Sequence, residues 1–212
     1  RLGKEAVFIQ QNINRLGLRV FVRTPTLNML NTKYVVMSPG QRPVLNNNAL
    51  GNAWFVSDLK RVKDGNSEII ALSDSSLNLR STAVVHNDFT AIKNIENPDL
   101  GAVIKMVKYR ANAISYTSSS KTRQYAIFSE IYYPKGWNCY INGKLTSNFR
   151  ANYILRGVTV PAGDNDIEWR FEPSTYVTSK TISSGASLVL LLMCAFIFGR
   201  ALKKDLKHVE VG

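Results

Sequence analysis

Residues 124–144 read QYAIFSEIYYPKGWNCYINGK, and how this stretch folds decides the class of the chain. The run 124–133 is mostly apolar and rich in aromatic and β-branched residues, the pattern of a strand covered on both faces. Pro134-Lys135-Gly136 turns the chain, WNCYI returns it, and Asn142-Gly143 supplies the two-residue turn that best matches the twist of paired strands. Side chains alternate between the two faces of a strand. Trp137, Cys139 and Ile141 therefore form an apolar set that belongs in a core, while Asn138 and Tyr140 share the opposite, more polar face.

The same reading extends on both sides. Upstream, AVIKMVKYR (102–110) and AISYTSSS (113–120) flank a short step at 111–112; downstream, YILRGVTV and IEWRFEP are separated by PAGDND, a cluster of turn formers. Short strands at this spacing predict an antiparallel β-sandwich with its core over about 100–173. The first hundred residues are less regular. LGLRVFV and KYVVMS read as strands, PTLNMLN as a short helix begun at Pro25, NAWFVSDLKRV as another strand and NSEIIALSDS as a helical turn or two. The expected fold is mainly β (α+β), one unit over 1–179 with a few short peripheral helices.

A different pattern follows, TISSGASLVLLLMCAFIFGRALKK at 181–204. The seventeen residues 182–198 carry no charge, which predicts a C-terminal transmembrane helix over 181–199 with the lipid bilayer as its partner. Arg200, Lys203, Lys204 and Lys207 follow at once. By the positive-inside rule they make 200–212 a basic cytoplasmic tail and place 1–179 outside the cytoplasmic membrane. The chain starts at Arg1 and is patterned from its first residues, so it reads as part of a longer protein.

The bulk composition is globular: of 212 residues 45% are hydrophobic and 20% charged, with a formal charge of +12. That excess of base fits either a solvated basic surface that keeps the protein soluble or anionic surroundings such as phospholipid headgroups or a lipid-linked phosphate. Nucleic acid is not expected as a partner, since the basic residues are scattered along strands rather than gathered in a groove with exposed aromatics. Cys139 and Cys194 lack CxxC spacing and only two histidines are present, so neither a metal site nor a His-based triad is expected. No phosphate-binding glycine loop occurs, and no cofactor is expected.

Glycosyl chemistry needs a carboxylate base near the acceptor, and no catalytic set is recognisable among the acids. Asp164 and Asp166 fall in an expected turn, Glu168 reads as solvent face, and Glu130, which interrupts an apolar run, reads as a buried acid with an arginine partner. Sugar binding calls for a ring against a pyranose face with amides around it. Trp54 with Asn52, and Tyr133, Asn138 and Tyr140, are the candidate ligand contacts.

Five pieces in order, TLNMLNTKYVV, NALGNAWFV, IFSEIYYPKGWNCYINGK, ANYILRGVTVPAGDNDIEWRFEP and the final apolar helix, resemble the C-terminal part of YfhO-like bacterial membrane proteins. The most specific are Leu30-Asn31-Thr32-Lys33-Tyr34 and Tyr133-Pro134-Lys135-Gly136-Trp137. That family is related to the C-type glycosyltransferases. The resemblance implies glycosylation of cell-envelope polymers from polyprenyl-phosphate sugars, in which this domain serves acceptor recognition or shapes the cleft beside an upstream transmembrane region. It also implies that the catalytic acid lies upstream of Arg1. The competing reading is a noncatalytic, membrane-anchored carbohydrate-binding or structural envelope module.

Overall fold

The structure is a computed structural model that describes residues 1–74, 76–89, 95 and 97–209, without the side chains of 174, 177, 178, 181, 198 and 200–209. The chain divides into two units, Arg1–Phe171 and Glu172–Gly212. The first unit runs through α1 (Leu2–Leu16), a 3-10 segment (Gly17–Arg23), α2 (Pro25–Met29), β1 (Tyr34–Val35), β2 (Val44–Leu45), β3 (Ala53–Val56) and β4 (Asp58–Val62). It continues with α3 (Gly65–Ser73), β5 (Thr82–His86), β6 (Val103–Arg110), β7 (Ala113–Ser120), β8 (Gln124–Ile131) and β9 (Trp137–Ile141). Last come β10 (Lys144–Thr146), β11 (Asn148–Ala151), β12 (Leu155–Val160) and β13 (Gly163–Phe171).

Two sheets dominate. A five-stranded sheet, in the order β10-β9-β13-β7-β6, is antiparallel throughout. A six-stranded sheet has the order β3-β8-β12-β11-β5-β4. The strands from β6 onward pair antiparallel with one another, as expected for 100–173, whereas β4 and β5, outside that stretch, run parallel. Residues 63–81, which include α3, provide the crossover that a parallel pair requires.

Packing follows from the alternation of side chains. Ala126 and Phe128 of β8 face the space between the sheets with Ile114, Tyr116, Ile141, Val158, Ile167 and Trp169. Tyr125 and Ile127 of the same strand enter a second core with Trp54, Val84, Phe149, Leu155 and Leu72 of α3. A strand buried on both faces needs an almost continuous apolar run, and β8 has one.

The stretch NAWFVSDLKRV is not one strand but two, at opposite edges of the six-stranded sheet and joined only by Ser57. In a flat sheet five spacings would separate those edges by roughly 24 Å, whereas two Cα steps reach no more than about 7.6 Å. The sheet therefore curls until its edges meet at Ser57, whose N–H and that of Asp58 both bond the Ser81 carbonyl at 2.9 and 3.0 Å. The second core fills the inside of that curl.

The N-terminal segment also differs from the expectation. LGLRVFV is not a strand; it is the end of α1 and the 3-10 segment, with Ile9, Val20 and Phe21 buried together. Apolar residues at 9, 13 and 16 recur at helical spacing. Glu5 then fixes α2, since its carboxylate accepts from the N–H groups of Thr26 and Leu27 at 3.1 and 3.0 Å, two of the donors a helix start leaves open.

The second unit is α4 (Ser174–Val209). Among the described residues no helix is long and apolar enough to cross a membrane, which overturns the transmembrane helix expected over 181–199. The side chains of Thr181 and Phe198 lie outside the described residues, and between them the unbroken apolar stretch is 188–197, preceded by Ser183, Ser184, Gly185 and Ser187. The side chains of Arg200, Lys203, Lys204 and Lys207, the expected membrane-flanking group, lie outside the described residues.

Candidate functional site

The five-stranded sheet turns its apolar face inward and leaves a polar outer face. On β9, Cys139 and Ile141 are buried and Trp137 packs against the same core, while Asn138 and Tyr140 point outward. Strand register then sets the outward neighbours in rows. Tyr140 lies opposite Glu168, which lies opposite Ser115. Asn138 lies opposite Arg170, and farther along Asp166 pairs with Thr117 and Thr117 with Lys105.

Asp164 and Asp166 are not in a turn, as their sequence context predicted; they are strand residues, because β13 begins at Gly163. Gly163 takes a positive φ of 98°, which lets the turn end at once. The two carboxylates then project on one face, two residues apart. The Asn142-Gly143 turn, with φ values of 51° and 77°, closes this end of the sheet. Asn142 Oδ1 accepts from the Asp166 N–H at 2.9 Å, and Asn142 Nδ2 donates to Asn165 Oδ1 at 2.9 Å.

Between these groups is an open hollow of about 350 Å³, lined by Lys105, Thr117, Ser119, Asn142, Asp164 and Asp166 among others. Among the described residues none of Lys105, Asp164 and Asp166 enters an ion pair. The hollow thus offers carboxylate acceptors and ammonium, hydroxyl and amide donors, the array that holds a ligand bearing several hydroxyls.

The residues expected at a site are spread widely. Tyr140 is half-buried, with the Arg170 guanidinium 4.4 Å from its ring centre and Arg170 bonded in turn to Glu168 at 2.6 Å. Tyr133 is half-exposed, its ring 6.5 Å from that of Phe171. Trp54 is buried in the second core, where its Nε1 donates to the Leu79 carbonyl at 3.0 Å. Asn52 joins segments of the fold, since its Oδ1 accepts from Asn31 Nδ2 and its carbonyl accepts from the Ser129 N–H. Asn138 and Tyr140 are thus on the face that carries the hollow, and Trp54, Asn52 and Tyr133 are not. The hollow itself escaped the sequence reading because its acids were assigned to a turn.

Glu130 is within the electrostatic reach of a buried arginine, Arg156. The carboxyl lies at the end of the space between the sheets, where burial raises its pKa and the Arg156 guanidinium opposes that shift. Arg156, 3% exposed, interrupts the apolar run of β12 as Glu130 interrupts that of β8. Among the described residues no group of three or more His, Cys, Asp or Glu could hold a metal ion.

Comparison with known proteins gives two matches. The family model described as bacterial membrane protein YfhO matches residues 19–183. The uncharacterized protein YfhO of Bacillus subtilis (strain 168) is 29% identical over 131 residues, which cover 62% of this chain and 15% of that relative. The chain therefore spans only a small part of the length of the curated relative it matches. No solved structure matches.

Proposed function

Because this chain belongs to the YfhO family of bacterial membrane proteins, we propose that residues 1–171 form an extracytoplasmic domain that recognises the acceptor in glycosylation of a cell-envelope polymer. The sugar donor in this reading is a polyprenyl-phosphate sugar, and the transfer is carried out by the membrane region of the parent protein. The carrying observation is the outer face of the five-stranded sheet, where Asp164, Asp166, Lys105 and Thr117 surround a hollow of about 350 Å³. Ionised and hydroxyl groups at that density match the alternating donors and acceptors of a polyol or glycan. Tyr140 and Asn138 extend the same face toward its other end.

The test is made in the full-length protein. Asp166→Asn combined with Lys105→Gln is expected to lower polymer glycosylation strongly while the protein accumulates normally in the membrane. Unchanged glycosylation would remove the sheet face from the reading. A glycan-binding measurement on the 212-residue chain separates the competing module, for which tight and selective binding is expected without the rest of the protein.

A further inference from the structure

A second hollow is a cleft of about 700 Å³ between the N-terminal helical segment and the loop that leads into β5. Arg1, Arg23 and Arg80 all contribute to its wall, together with the amide residues Asn48 and Asn78, and no Asp or Glu does. Three arginines with no acid in the lining make this concavity a place of positive potential that attracts an anion.

One of the three side chains and the backbone of a second are held in place. Arg1 Nε binds Glu5 Oε1 at 3.1 Å, and Glu5 is buried, with its two oxygens also accepting from the N–H groups of Thr26 and Leu27. That carboxylate is consumed at the start of α2 and leaves the Nη groups of Arg1 to other partners. Arg23 and Arg80 enter no ion pair among the described residues. The loop that carries Arg80 is pinned, because Asn78 Oδ1 accepts from the Arg80 N–H at 3.1 Å and the Asn78 carbonyl from those of Ser81 and Thr82. The floor residue Asn28 is buried, its Nδ2 donating to the Phe21 carbonyl and its Oδ1 accepting from Asn46 Nδ2, each at 2.8 Å.

We propose that this cleft binds a phosphate group, free or esterified, through Arg1, Arg23 and Arg80. Planar guanidinium forks match phosphate oxygens in pairs, a bidentate geometry that the point charge of a lysine ammonium does not offer. The site is separate from the outer sheet face and does not depend on the reading given to that face.

The experiment measures binding of the 212-residue chain to glycerol 3-phosphate and to phosphatidylglycerol vesicles, with phosphatidylcholine vesicles as the uncharged comparison. Arg23→Gln with Arg80→Gln is expected to weaken phosphate binding at least about tenfold. Arg23→Lys with Arg80→Lys retains part of it. Lys135→Gln with Lys144→Gln, which removes the same charge outside the cleft, leaves it within about twofold. Binding of glycerol 3-phosphate and of phosphatidylglycerol vesicles, each weakened by the cleft variant, supports the site and identifies free phosphate or a lipid headgroup as its source according to which is held more tightly. Equal weakening by the two glutamine pairs, in chains whose circular dichroism matches wild type, overturns it, as does failure of wild type to bind either phosphate probe.

Discussion

The Arg156 guanidinium lies 4.1 Å from the centre of the Trp137 ring. It also lies 5.1 Å from the ring of Trp169, and its Nε donates to the Ile131 carbonyl at 2.8 Å. A cation drawn out of water needs such compensation, and a desolvated cation–π contact contributes about 2 kcal/mol. Trp137 is thus more than a core filler, since its face lies against a buried charge.

A double-mutant cycle measures this relationship. Trp137→Leu and Arg156→Met are expected to show a favourable coupling of about 1–2 kcal/mol in urea denaturation. The double variant is then less destabilised than the sum of the two single variants. Strict additivity would mean that ring and guanidinium do not interact.

Glu130 gives a pH prediction. Burial raises its carboxyl above the ordinary value of 4.5, so the folded chain holds this proton more tightly than the unfolded chain does. The stability from that group is full below the unfolded value and is lost as pH rises through the folded one. Asp64, Asp74 and Asp99 have lowered values, and their contributions are lost only below the ordinary 3.8. As pH rises from the ordinary value of 4.5 toward neutrality, the wild-type urea midpoint should therefore fall more than that of Glu130→Gln. Parallel curves would refute the assignment.

The Glu130 and Arg156 pair also marks how far the sequence could be read. A single acid within an apolar strand signals a buried partner, and the residue type of that partner was legible from chemistry alone. Its position was not, because β8 and β12 become neighbours only through the fold. Period-two alternation and an Asn-Gly turn made the faces of β9 plain, since both signals are local. The break at Ser57 has no turn residue to announce it, and it arises from closure of the curled sheet. The uncharged run 182–198 reads as a membrane span, yet no helix among the described residues is long and apolar enough to cross a membrane.

The two cysteines should differ sharply. Cys139 is fully buried between the sheets, and burial pushes its thiol up to about 12, whereas Cys194 is exposed on α4. The thiolate is the reactive form. Ellman's reagent at mildly alkaline pH is expected to modify Cys194 quickly in the native chain and Cys139 only after urea is added. Rapid native reaction of both thiols would contradict the buried placement of β9.

Gly157 tests the curl of the six-stranded sheet. It lies opposite Phe149 in the β11 and β12 pairing, and a Cβ at this position would land within the Phe149 ring. Glycine weakens a strand interior in general, and here the ring covers the backbone it leaves bare. Gly157→Ala is expected to cost about 1–3 kcal/mol of stability through overpacking. The change cannot be absorbed by moving the ring freely, because Phe149 is buried with Tyr125 and Phe89, their ring centres each 6.2 Å away. Phe149→Leu alone destabilises by emptying part of that core, but in the Gly157→Ala background it relieves the clash. The double variant should therefore be more stable than additivity of the two single changes allows, by about 1 kcal/mol. Additive losses in urea denaturation would mean that Phe149 does not lie over Gly157, and the packing inside the curled sheet would have to be redrawn.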